Sequence, residues 1–232
     1  MVGRCFIVTN RPGKRENLDR HPRRRVLQGM AGTAALSAGH ATLRLELDMT
    51  DYNQPRIPPI EPAEMTDDVR DFFAFVDGPG GRAAGSKLNI IRTLAHNPEL
   101  GQRYFQFGVY VLRFSTLEPR IRELVTLRTA TLYASDYEWE KHVVTARNIG
   151  ISEAEIEAVK IGPQLPIWSP LESALLSATD QMIRNNGIED SVWDVIAGEL
   201  DYKQQLDFVF TVSSYAMLAM SLNALKVQLE PE

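Results

Sequence analysis

Residues 120–134 read Arg120-Ile121-Arg122-Glu123-Leu124-Val125-Thr126-Leu127-Arg128-Thr129-Ala130-Thr131-Leu132-Tyr133-Ala134. From Leu124 onward this stretch is apolar or small on nearly every side, and Arg128 is its one charge. A helix that is apolar all round must be covered all round, in the centre of a core or against a second subunit. Residues 49–232 can fold around it, and a chain of that size has a limited interior. The expectation is therefore divided: one face in the core, another in a contact between subunits.

Working outward, the same helical grammar recurs. Ser135-Asp136-Tyr137-Glu138 restarts the chain as a helix over 136–149, and Gly150 suits its C-terminus. Ser152 and Glu155 have capping-box spacing and open a short helix to about Lys160. Gly162 to Pro170 reads as a loop, and Ser169 or Pro170 opens a long helix to about Asn185. Asp190 is placed as the cap of a helix to Leu200, and Tyr202 to Gln228 reads as the last long helix. Upstream, Thr66-Asp67-Asp68 caps a helix over 67–76, which Gly78-Pro79-Gly80-Gly81 breaks. A short helix spans about 87–95. Asn97-Pro98-Glu99 opens another that runs to about Phe114. Pro55, Pro58, Pro59 and Pro62 exclude helix and sheet interiors, so 52–63 reads as an extended arm on the domain or on a neighbouring subunit. No strand alternation of useful length is present. The body reads as all-α.

Composition narrows the function. The 232 residues are 44% hydrophobic and 24% charged, the balance of a soluble globular protein. No run approaches the consecutive apolar length of a membrane span, so no membrane partner is expected. Cys5 is the single cysteine, which rules out an intramolecular disulfide, a Cys-rich metal site and a two-cysteine redox centre. The net charge of −5 conceals an asymmetry: residues 1–48 carry nine Lys/Arg against four Asp/Glu, and the remainder sixteen against twenty-six. So acidic a body is a poor binder of phosphate backbones, and no nucleic acid is expected as a partner.

Residues 1–48 read as a leader or a disordered extension, separate from a helical domain at 49–232. Arg23-Arg24-Arg25, the weakly apolar run from Gly29 to Ala41 and the Gly39-His40-Ala41 end resemble a twin-arginine export leader. Against this, Met49-Thr50-Asp51-Tyr52 reads as a natural start. The expected location is cytoplasmic, with export by a twin-arginine leader as the alternative.

The body has two histidines, His96 and His142. Glu138 and His142 are four residues apart and share one helix face. Glu123 lies on the preceding helix, which could bring it beside them. Two carboxyl groups and an imidazole in an apolar pocket would have their pKa values pushed apart, giving an acid and a base near neutral pH. Structural readings stand beside each of these. Glu138 has capping-box spacing from Ser135. Glu123 could pair with Arg120 or Arg128. Tyr137 and Trp139 suit core positions as well as pocket walls. His96 suits the C-terminus of the preceding helix. A metal site is not expected, because the two histidines lack His-x-x-x-His spacing. No phosphate-binding glycine loop and no Gly-x-Ser-x-Gly elbow is present.

Arg120-Ile121-Arg122-Glu123-Leu124-Val125, then Tyr137-Glu138-Trp139-Glu140-Lys141-His142, then Gly150-Ile151-Ser152, resemble the carboxymuconolactone decarboxylase family. Leu94-Ala95-His96-Asn97-Pro98-Glu99-Leu100 and Tyr215-Ala216-Met217-Leu218-Ala219 extend the resemblance over roughly 55–228. It implies the alkyl hydroperoxidase D-like helical fold, with a central antiparallel helix hairpin and assembly as a homo-oligomer, a trimer or hexamer. The peroxidase branch places two cysteines where this chain has Ser135 and Glu138, so thiol peroxidase chemistry is not available here. Its glutamate and histidine fall on Glu123 and His142.

What the resemblance implies is a carboxy-lyase that needs no cofactor and acts on a small carboxylated lactone or aromatic-breakdown product. His142 would donate the proton or polarise a carbonyl. Glu138 would orient it or act as base, and Glu123 would be a second acid/base group or hold Arg128 in place. Arg128 would meet a substrate carboxylate if it points into the pocket, against the structural reading of an ion pair, and Tyr137 and Trp139 would line the walls. The alternatives are another cofactor-free reaction in the same pocket, hydrolysis or isomerisation, and a non-catalytic oligomeric binding protein.

Overall fold

The computed structural model describes residues 54–231. The reading of 1–48 as a leader or extension falls outside them. Among the described residues there are ten α-helices and no strand. The helices are α1 (Asp67–Asp77), α2 (Pro79–Ala84), α3 (Asn89–Leu94), α4 (Pro98–Val109), α5 (Pro119–Leu132), α6 (Asp136–Asn148), α7 (Glu153–Ile161), α8 (Pro170–Asn185), α9 (Asp190–Glu199) and α10 (Tyr202–Leu225). Tyr110–Phe114 continues α4 as a π-helical turn.

α5 is the axis. Ile121 and Val125 pack with Leu175, Ala178, Ile196, Phe208 and Val212 from α8, α9 and α10. Leu124 and Leu127 pack on the other side with Val143, Ala146, Ile156, Val159 and Leu176 from α6, α7 and α8. Two apolar clusters on opposite sides explain a helix without a polar face. Every residue from Glu123 to Ala130 is buried by the chain's own helices, whereas Thr131, Leu132 and Tyr133 are half-buried and Ala134 is exposed.

Several boundaries follow their caps. Thr66, Asn97, Ser152 and Ser169 each accept a backbone N–H with the side chain, and the last two form reciprocal capping boxes. Other expectations are revised. Pro79 does not merely break α1: with its fixed φ it starts α2. Asp190 is the first helical residue of α9 and Glu189 holds the cap position, with no side-chain bond. α10 stops at Leu225 because Lys226 turns left-handed, three residues short of Gln228. α10 is also long and apolar enough to cross a membrane by length and composition. In this fold its Phe208, Val212, Tyr215 and Ala219 are buried in the helical core.

The proline-rich arm lies on the domain itself. The backbone N–H of Arg56 donates to the Leu225 carbonyl, and that of Ile60 to the Arg92 carbonyl. His96 serves the arm: its Nε2 lies 2.9 Å from the Pro58 carbonyl, so it does not cap α3. One close approach fixes α1 against α4. A Cβ on Gly101 would stand 2.6 Å from Phe72 Cζ, so only glycine fits there.

The turn Tyr133–Ser135 folds α6 back beside α5. It needs Ala134 at φ 49°, a left-handed conformation that costs a residue with a Cβ about 1–2 kcal/mol. This hairpin carries Glu138 and His142 to the side of Glu123.

Candidate active site

Glu123 has no solvent exposure at all, and Glu138 has 2%. A capping role for Glu138 is excluded. The Ser135 side chain makes no cap bond, and neither carboxyl oxygen of Glu138 has a hydrogen-bond partner. Burial alone pushes the Glu138 carboxyl up to about 9 from its ordinary value of 4.5. At neutral pH it is an undissociated acid inside the protein.

His142 Nδ1 lies 2.6 Å from Glu123 Oε2. A carboxylate can only accept there, so Nδ1 carries the hydrogen and donates. The orientation leaves Nε2 as the nitrogen free to exchange a proton. The imidazole meets the Tyr215 ring edge to face, with centroids 4.8 Å apart. The second oxygen of Glu123 faces Arg122 Nε at 3.4 Å, close enough for charge attraction but without a hydrogen bond.

His142 opens on an apolar cavity of about 180 Å³. Ile90, Phe105, Leu112 and Leu218 form walls, and Tyr104 and Tyr215 also line it. Burial raises both phenols. The carboxyl of Glu138 adds to the rise at Tyr104, and those of Glu123 and Glu138 add to it at Tyr215. Both therefore stay neutral donors throughout the physiological range.

The structure brings together three of the six residues expected at the site and separates the others. Arg128 is not at the cavity. Its Nε and Nη2 donate to the two carboxylate oxygens of Asp180 at 2.6 and 2.7 Å, and Nη1 donates to the Val159 and Lys160 carbonyls. A guanidinium so fully occupied has no fork left for a substrate. Glu123 pairs with neither Arg120 nor Arg128, since Arg120 is held by Glu155 and Glu172. Tyr137 is turned away, donating from Oη to Glu230 at 2.7 Å. Trp139 stacks under Lys160 Nζ, 4.6 Å from the ring centroid, on a different surface. The physical reason is helical phase: 137 and 139 lie off the face shared by 138 and 142.

Three residues escaped sequence reasoning. Arg122 adjoins the recognised glutamate, but Arg120, Arg122 and Arg128 look alike in one dimension. Tyr104 and Tyr215 lie 38 residues before and 73 after His142, and no spacing rule links them. Among the described residues no group of three His, Cys, Asp or Glu side chains is placed to hold a metal ion.

Residues 98–181 match the carboxymuconolactone decarboxylase family. No curated protein matches the chain. Among solved structures, an uncharacterized peroxidase-related protein from Ralstonia eutropha, described as an alkylhydroperoxidase AhpD core, is similar at 17% identity and a TM-score of 0.63. That match covers 75% of this chain and 91% of the other. A protein of unknown function from Agrobacterium tumefaciens is similar at 19% identity and a TM-score of 0.56, covering 60% of this chain and 96% of that one. The debrominase Bmp8 is similar at 13% identity and a TM-score of 0.59, over 75% of this chain and 91% of its own. A cysteine-to-alanine variant of Bmp8 has been seen with 2,3,4-tribromopyrrole. These likenesses establish the AhpD-like helical fold.

Proposed function

We propose, from the carboxymuconolactone decarboxylase family segment at residues 98–181, that this chain is a cofactor-independent lyase that removes carbon dioxide from a small carboxylated ring or lactone. The observation that carries this reading is the Glu123–His142 pair at 2.6 Å, with His142 facing an apolar cavity. Loss of carbon dioxide breaks a carbon–carbon bond and leaves the electron pair on the substrate. A carbonyl conjugated to that carbon takes the pair as an enolate. His142, protonated on Nε2 from solvent, gives that proton to carbon and is reprotonated by solvent for the next turnover, while Glu123 holds the ring by Nδ1 and stabilises the positive charge of the imidazolium. Glu138, an undissociated acid one helical turn before His142, is a second proton reserve behind the cavity lining. An apolar cavity strengthens each of these interactions by excluding water.

Ser135 and Glu138 stand where the peroxidase branch places its cysteines, so the fold's thiol chemistry has no nucleophile here. The debrominase of the same fold shows that this architecture accommodates other reactions. The reading is tested with purified full-length protein on a panel of small lactone and cyclic keto carboxylates. Released carbon dioxide and deuterium taken up from heavy water are followed together. Stoichiometric release and uptake at one carbon are expected; release without uptake, or no release from any member, contradicts it.

We also infer self-association, on a different surface from the one the sequence suggested. Leu206, Phe210 and Met220 of α10 are exposed, and Phe107, whose ring meets Phe210 edge to face, extends the apolar face through Phe114. Apolar side chains gathered in this way mark a contact surface. Light scattering is expected to give three or six times the mass of one chain, and a single-chain mass would contradict it.

A further inference from the structure

The Tyr104 and Tyr215 side chains take no part in the proton path from Glu123 to His142. They come from helices far apart in sequence, α4 and α10, and meet at the same cavity as His142. Neither hydroxyl is hydrogen-bonded to another described residue. Tyr104 is half-buried, and neither phenol oxygen is among the buried side-chain atoms left without a partner, so both hydroxyls are open to solvent and free to donate to a molecule that enters the cavity they line. Glu138, 2% exposed and with both carboxyl oxygens unpartnered, does not line the cavity but is near enough to raise both phenols electrostatically.

We propose that Tyr104 and Tyr215 form a two-donor cradle for a substrate oxygen that becomes negative during reaction, which sets the substrate class as enolisable cyclic carbonyl compounds. This rests on the lyase reading above and deepens it by assigning the electron sink. Neutral O–H donors suit the task. They attract a developing oxyanion far more strongly than a ground-state carbonyl, and they are fixed before the reaction begins. The edge-to-face contact of Tyr215 with His142 sets the distance between the cradle and the proton-transfer nitrogen. Oxygen and carbon of one enolate could thus be served at once, the oxygen by the phenols and the carbon by Nε2. Aliphatic and aromatic walls select a flat, compact ring over a chain.

The cradle is tested by binding alone, so that it stands or falls separately from turnover. The probes are 4-nitrophenolate, a planar stable oxyanion, and nitrobenzene, which has the same ring without the oxyanion. Wild type, Tyr104→Phe, Tyr215→Phe and the double variant are titrated by absorbance or calorimetry, with melting curves as the fold control. 4-Nitrophenolate is expected to bind wild type and to weaken at least tenfold in each single variant and further in the double, while nitrobenzene changes less than twofold. Equal weakening of both probes would show lost shape, not lost donors, and would overturn the proposal. Unchanged phenolate binding in the variants, or none in wild type, would also overturn it. The carbon dioxide assay can fail with the cradle intact, and the cradle can fail with the assay positive.

Discussion

Replacing Glu138 by glutamine is expected to stabilise the protein above about pH 5, by an amount that grows up to about pH 9. The folded state keeps a proton on this carboxyl to about pH 9, whereas the unfolded chain releases it near 4.5. Because the folded-state value is raised, the native protein binds more protons than the unfolded chain throughout that window. Its stability contribution is complete below the unfolded value and is lost as pH rises through the folded one. Each pH unit of separation is worth about 1.36 kcal/mol, so the limit at alkaline pH is on the order of 6 kcal/mol. Glutamine keeps the shape and the neutral charge but has no proton to lose. Melting curves of wild type and Glu138→Gln between about pH 5 and pH 9 are expected to diverge steadily. Parallel curves would show that Glu138 is ionised in the native state, and its role as an internal acid would go with them.

The second large effect is expected at Glu123. Glu123→Gln keeps the buried volume but replaces a pure acceptor with an amide that presents either oxygen or nitrogen to His142 Nδ1. The imidazole then loses its fixed tautomer and the negative charge that stabilises its protonated form. A loss on the order of 10²–10⁴ in kcat is expected, by analogy with the carboxylate of a hydrolase triad. KM is expected to change little, because Glu123 does not line the cavity. The amide variant leaves Arg122 facing a neutral group, so its melting temperature is read alongside. A variant with full kcat and an intact fold would remove Glu123 from the proton path.

The fold was legible because several helices announce their own start. Thr66, Asn97, Ser152 and Ser169 are cap residues at positions that sequence alone identifies. The apolar circumference of α5 correctly marked the centre of the structure. What surrounds α5 was not legible, because a neighbouring subunit and the chain's own α6, α8 and α10 make the same demand on its sequence. The site was legible where it is local. Glu138 and His142 share a helix face by spacing, and their juxtaposition with Glu123 depends only on the short turn at Ala134. Arg128 stood between a substrate role and a structural ion pair, because a charge in an apolar stretch looks alike whether it meets a ligand or Asp180, which is 52 residues away. Tyr137 and Trp139 flank the key residues in sequence and therefore point elsewhere in space. Tyr104 and Tyr215 reach the cavity only through the packing of α4 and α10 around α6, a relation that no one-dimensional pattern records.

The acid/base assignment is tested most directly at His142. The rate of carbon dioxide release by wild type and His142→Ala should be compared on the best substrate of the panel, with melting temperature measured on the same samples. His142 is partly exposed to the cavity, so alanine is expected to shift melting by a few degrees while turnover falls at least a thousandfold. A variant that melts like wild type and releases carbon dioxide as fast would show that the proton travels by another route.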